Sequence, residues 1–235
     1  MEIVKFTSYD ELSKFASEVV KNEILKNEAC VLGLATGSSP VGMYNELAKL
    51  NAQKTITFKN VKTVNLDEYV GLDGLNEQSY RYFMNTNLFD KIDIKKENTF
   101  VPNGKANDLQ KECEDYEKLI ESLGGVDLQV LGLGDNGHIG FNEPSEVYEK
   151  YTHLTNLKEE TINANARFFD NADLVPKQAL TMGIKSIMNA RKILLIVNKK
   201  EKKEIALKAL FGEITPLVPA SVLQLHPNLV VAMID

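Results

Sequence analysis

Apolar positions recur along the chain with two alternating spacings. Short apolar runs read as strands at Glu2–Phe6, Ala29–Leu34, Val61–Leu66, Val126–Leu133, Ile193–Val197 and Leu229–Ile234, with a further short one at Tyr151–Leu154. Between them, apolar residues fall at helical intervals. Leu12, Phe15, Ala16, Val19 and Val20 form one stripe, with Ser8 or Asp10 as its N-cap, and Val41, Tyr44, Leu47, Ala48 and Leu50 form another after Pro40. Helices are also predicted over Asn76–Phe89, Asp108–Leu123 (ending at Gly124 and Gly125), Pro176–Met188 and Lys200–Leu210, with a helical turn at Ser221–Leu225. Asn98–Asn107, with Pro102 and Gly104, reads as a loop. Lys158–Phe169 is a polar helix poor in core residues, which suits a flap over a site or a surface helix equally. Strand and helix signals alternate throughout. They predict an α/β fold: a doubly wound, mostly parallel open sheet with helices on both faces, Rossmann-like. One domain is expected over 1–235, with a helical lid at about 153–182.

Composition narrows the function classes. The 235 residues are 43% hydrophobic and 26% charged, enough for a sizeable core. With a net charge of -6 and only the Lys199–Lys203 basic patch, interrupted by Glu201, nucleic acid is not an expected partner. Neither Cys30 nor Cys113 has a partner at metal or redox spacing, and both read as ordinary thiols. His138, His153 and His226 show no ligand spacing either. The N-terminus lacks the pattern of a signal peptide, and no apolar run reaches bilayer length, so a cytoplasmic protein without membrane contact is expected.

Two turns carry candidate chemistry. After the Val126–Leu133 strand come Gly134, Asp135, Asn136, Gly137, His138, Gly140, Asn142 and Glu143. This glycine-rich loop sets an imidazole, carboxylates and amides at a strand's carboxyl end, where open α/β sheets bind ligands. After Ala29–Leu34 come Thr36, Gly37, Ser38 and Ser39, leading into a helix. Strand, hydroxyl-rich turn and helix start can cradle a phosphate, although the spacing is neither GxxxxGK[ST] nor GxGxxG. From this stretch alone, Ser38 and Ser39 serve equally well as simple helix caps. Asp67, Glu68 and Tyr69 close a third strand, at the same functional edge or as a turn cap before Gly71.

Taken together, LGLATGSSPVGMY at Leu32–Tyr44, NLDEYVGL at Asn65–Leu72, LGLGDNGHIGFNEP at Leu131–Pro144, RFFDN at Arg167–Asn171 and LQLHP at Leu223–Pro227 resemble the glucosamine-6-phosphate deaminase family. The resemblance runs through nearly the whole chain. It implies conversion of glucosamine 6-phosphate and water to fructose 6-phosphate and ammonia in amino-sugar catabolism, without metal or organic cofactor. It assigns Asp67 as the enolisation base. His138 becomes the ring-opening group, with Glu143 and Asn136 beside it. Thr36–Ser39, Arg167 and Lys202 would hold the 6-phosphate. Lys202 is chosen by register, with Lys199, Lys200 and Lys203 as competitors.

Asn136 stands where some family members have aspartate, and Asp135 next to it is the candidate carboxylate to compensate. At the family's second, allosteric phosphosugar site this chain has Val147, His153 and Thr155 in place of serine, arginine and lysine. A non-allosteric enzyme, monomer or small homo-oligomer, is therefore expected. The alternatives are a 6-phosphogluconolactonase, which leaves Asp67 without a role, and a non-catalytic sugar-phosphate sensor. The sensor would call for an attached DNA-binding helix pair, which 235 residues filled by this domain do not accommodate.

Overall fold

The computed structural model describes residues 1–158 and 175–235. The polar helix expected over Lys158–Phe169, Arg167 and most of the expected lid lie outside the described residues, apart from Lys158 and the lid's two ends. Strands β1 (Glu2–Phe6), β2 (Val31–Leu34), β3 (Lys62–Asn65), β5 (Thr99–Phe100), β6 (Leu128–Gly132), β9 (Lys192–Val197) and β10 (Leu229–Ile234) form a seven-stranded sheet in the order β1-β10-β9-β6-β2-β3-β5. Every pairing in it is parallel. The parallel α/β reading holds.

Helices α1 (Tyr9–Lys26), α2 (Val41–Ala52) and α3 (Tyr80–Asn87) contribute to one core layer. On the opposite face lie α4 (Leu109–Ser122), α5 (Ile184–Met188) and α6 (Lys203–Phe211). The central strands supply both layers by alternation. Leu229, Val231 and Met233 of β10 point to the second, while Val230, Ala232 and Ile234 point to the first. Because both faces are covered, these strands are continuous apolar runs rather than alternating ones.

A second, three-stranded antiparallel sheet, order β4-β8-β7, was not expected. It joins β4 (Asp67–Tyr69), β8 (Gln178–Thr181) and β7 (His153–Asn156). The helix predicted over Pro176–Met188 is thus corrected: strand β8 comes first, and α5 begins only after Gly183. Ala179, Leu180 and Met182 sit at spacings that suit either element, and pairing on both sides decides for the strand. Asp67–Tyr69 likewise is not the end of β3 but a separate strand, which carries the chain from one sheet to the other. The Asn98–Asn107 segment contains the edge strand β5.

Smaller features follow local rules. Ser8 caps α1 by accepting from Glu11 N at 3.3 Å, and Asp108 caps α4 by accepting from Lys111 N at 2.9 Å. Glu117 of α4 accepts from Thr152 N, Thr152 Oγ1 and Ser186 Oγ at 2.6–2.7 Å, fastening the segment before β7 and helix α5 to α4. His226 of LQLHP belongs to the scaffold. It is buried, with Nε2 donating to Ala190 O at 2.8 Å and Nδ1 accepting from Asn228 N at 3.2 Å.

Candidate active site

Strand order places the site. From β2 the chain moves outward to β3 and β5, then returns to β6 on the other side of β2. The turns after β2 and β6 therefore diverge from neighbouring strands and leave a crevice at their carboxyl ends. A cleft of about 430 Å³ occupies it. Thr36, Gly37, Ser38 and Ser39 line it from the β2 turn, Asp135, Asn136 and His138 from the β6 loop, Asp67 from β4, and Lys202 from the region after β9. The expected residues thus meet in one place. Glu143 sits behind this wall, and Arg167 is outside the described residues.

The imidazole is held from two sides. His138 Nδ1 lies 2.8 Å from Asn136 Oδ1, and Asn136 Nδ2 donates to Glu143 Oε2 at 2.7 Å. An amide that donates with its nitrogen offers only its oxygen to the ring. The neutral His138 therefore carries its proton on Nδ1 and leaves Nε2 as a base. Glu143 Oε2 is also 3.5 Å from Nδ1, an ion pair once the ring is protonated. Below, the ring rests on Gly134: a Cβ there would meet its atoms at 2.3–2.4 Å, so only glycine leaves it room. Asn136 thus transmits the charge of Glu143 to the ring without itself being acidic. Asp135 does not share in this; it is largely exposed and pairs with Lys202 at 3.2 Å.

Asp67 is buried, with no offsetting donor among the described residues, and its carboxyl is pushed up to about 8, by burial first and by the neighbouring Glu68 charge second. Alternation along β4 turns Glu68 the other way. Its carboxylate accepts from Tyr69 N at 2.8 Å and from Tyr80 N and Arg81 N, both at 2.9 Å, at the start of α3. The three consecutive residues therefore divide: Asp67 faces the cleft, and Glu68 anchors α3.

That anchoring fixes Tyr80, whose role in the cleft the sequence did not reveal. Its ring stacks on Phe141 at 6.0 Å and 9°, its hydroxyl is 3.2 Å from that of Tyr69, and both rings sit in the wall around Asp67. In the sequence, Tyr80 is an inward position, with Phe83, Met84 and Leu88, of the helix predicted over Asn76–Phe89, and nothing more.

The anion turn differs in detail from a row of free hydroxyls. Ser39 Oγ donates to Asn198 Oδ1 at 3.0 Å, and the Thr36 side chain faces Tyr80. Tyr9 Oη binds Ser38 O and Ser39 O at 2.9 and 3.0 Å and accepts from Gly42 N at 2.8 Å, bracing the turn from α1. Gly37 sits at φ +82°, where side chains are rarely tolerated. Helix α2 has no side-chain N-cap, and with Gly42 N taken by Tyr9 Oη only the remaining N–H groups of its first turn are kept for an anion. Lys202 extends into the cleft, its Nζ bonded to Leu133 O, whereas Lys203 is paired with Asp235.

A second cavity of about 400 Å³ lies on the far side of Phe141 and Glu143. Val147, His153 and Thr155 line it, together with Lys158 and the acidic Glu143 and Glu149. Among the described residues no three His, Cys, Asp or Glu side chains gather as a metal-binding group. No helix there is long and apolar enough to cross a membrane.

Comparison with known proteins agrees with this geometry. Residues 7–231 match the family described as glucosamine-6-phosphate isomerases/6-phosphogluconolactonase. The chain is 55% identical over 231 residues to a glucosamine-6-phosphate deaminase of Lachnoclostridium phytofermentans, covering 98% of each. It superposes on a monomeric glucosamine-6-phosphate deaminase with TM-score 0.97 at 45% identity, covering 100% of this chain and 98% of that one. A 6-phosphogluconolactonase from Thermotoga maritima shares the fold, with TM-score 0.76 at 18% identity over 99% of this chain and 97% of its own. The chain belongs to the glucosamine-6-phosphate isomerase/6-phosphogluconolactonase family, on its glucosamine-6-phosphate deaminase branch.

Proposed function

We propose that this protein converts glucosamine 6-phosphate and water to fructose 6-phosphate and ammonia. One observation carries the reading: a buried carboxylate, Asp67, and an imidazole held by an amide–carboxylate pair line the same cleft as an anion-binding turn. The 6-phosphate lies on Thr36–Ser39 and the start of α2, facing Lys202, with Arg167 as the further cation that family likeness supplies. At the other end, His138 Nε2 takes the proton of the C1 hydroxyl and returns it to the ring oxygen, opening the pyranose. Asn136 and Glu143 stabilise the imidazolium formed between these steps. Asp67 then removes the C2 proton of the open chain and delivers it to C1, while the C1 oxygen gains the proton that the amine nitrogen gives up. The C2 imine that results adds water and releases ammonia, leaving the C2 ketone.

This assignment uses Asp67, which lactone hydrolysis would leave idle. The protein acts as one domain over 1–235, in the cytoplasm, as a monomer or small homo-oligomer; the likeness to a monomeric deaminase supports the smaller state. Neither nucleic acid nor membrane enters the reaction. The test is incubation with glucosamine 6-phosphate and measurement of ammonia and fructose 6-phosphate. Asp67→Asn is expected to bind the substrate and turn over about 10²–10⁴-fold more slowly. A variant near wild-type rate would remove Asp67 from the mechanism.

A further inference from the structure

Two groups that act on neighbouring atoms of one substrate must be held at a fixed separation, yet Asp67 and His138 sit on different elements, β4 and the loop after β6. Strand β8 joins them. Met182 N donates to Leu66 O at 2.7 Å, one residue before Asp67, and Met182 O accepts from Asn142 Nδ2 at 2.9 Å. Thr181 immediately precedes Met182, the residue that makes both ties. It is fully buried and lies directly opposite Asp67 in the antiparallel β4–β8 register, so both side chains project from the same face.

The Thr181 hydroxyl accepts from Phe141 N at 3.0 Å, three residues beyond His138. Gly140 passes between the two side chains. A Cβ there would lie 2.9 Å from Thr181 Oγ1 and 3.6 Å from Asp67 Oδ2, and the residue holds φ at +58°. Backbone without a side chain therefore lets the loop approach Asp67, and the Thr181 hydroxyl sets how close it comes.

We propose that Thr181 is a positioning residue for the proton transfers, its hydroxyl fixing the His138 loop against Asp67 through the Phe141 amide. The inference rests on the reaction proposed above. Thr181 is absent from the lining of the cleft, and its hydroxyl is spent on the loop backbone, so it acts through these groups and not on the substrate.

The test compares Thr181→Val, which keeps the shape and removes the hydroxyl, with Thr181→Ser, which keeps the hydroxyl, in the deaminase assay across pH. Thr181→Val is expected to lower kcat by roughly 10- to 100-fold, the scale of a small misplacement of reacting groups. KM should stay within about threefold, because the phosphate grip at Thr36–Ser39 is untouched. Thr181→Ser should recover kcat to within about threefold of wild type, with the acid limb of its pH profile in place. The inference is overturned if Thr181→Val keeps wild-type kcat and pH profile, or if Thr181→Ser is as impaired as Thr181→Val, which would make the methyl and not the hydroxyl decisive. If Thr181→Val does not fold, Thr181→Cys, which differs from Thr181→Ser only in its weaker acceptor, is compared with Thr181→Ser: a kcat equal to that of Thr181→Ser overturns the inference. A wild-type chain that releases no ammonia would instead overturn the reaction itself, and this inference with it.

Discussion

In the role proposed for it, Asp67 serves chemistry at the expense of stability. Its carboxyl titrates near 8 in the folded protein against an ordinary 3.8, because burial and Glu68 both disfavour the charge. The folded state therefore holds this proton more tightly than the unfolded chain does. The stability linked to it is complete below about pH 4 and is lost as pH rises to about 8. Asp67→Asn, neutral throughout, is expected to melt about 4–10 °C above wild type at pH 8 and close to it at pH 4, measured by thermal denaturation. Equal midpoints at pH 8 would mean the carboxylate is not desolvated. Acting as a base, Asp67 must be ionised, so kcat/KM should rise with pH through this raised value. Its acid limb should lie well above the usual carboxylate range.

At the scale of elements, the loop after β6 is built around a contact, not around flexibility. The His138 ring lies on the Cα of Gly134, and Gly134 N donates to His138 O at 2.9 Å, closing the turn on itself. Gly134→Ala must push the ring off its bonds to Asn136. A fall in kcat of about 10- to 100-fold is expected with the far-ultraviolet circular dichroism unchanged, whereas retained activity would show that the ring has another resting place. This loop was legible in the sequence because its glycines and its imidazole fall within a few residues of one strand end. Strand β8 was not. Its four residues carry no local mark of a strand, and what makes them one is pairing with β4 and β7, both distant in sequence. Tyr80 escaped for a related reason: its inward helical position says that it is buried but not which cavity it borders.

Across the whole molecule, the reversal of strand order between β2 and β6 brings the anion turn and the acid–base loop into one crevice, and the alternation of strand and helix signals anticipated it. Which lysine after β9 enters was left to register, and the structure puts Lys202 there while Lys203 goes to Asp235. The second cavity, with Val147, His153 and Thr155 in its wall, holds among the described residues two carboxylates against one lysine and so suits a phosphosugar poorly. Addition of N-acetylglucosamine 6-phosphate is expected to leave a hyperbolic rate curve unchanged in steady-state kinetics. Conversion of a sigmoidal curve to a hyperbolic one would refute this.

The contact between Lys202 and Asp135 has a broader consequence. Asp135 places an anion of the protein's own on the lysine, from an exposed side chain that water readily takes back. Under the reaction proposed above, arrival of the 6-phosphate would exchange one negative partner of Lys202 for another, and departure of the product would reverse that exchange. On that reading the lysine would not have to stand bare at either end of the cycle.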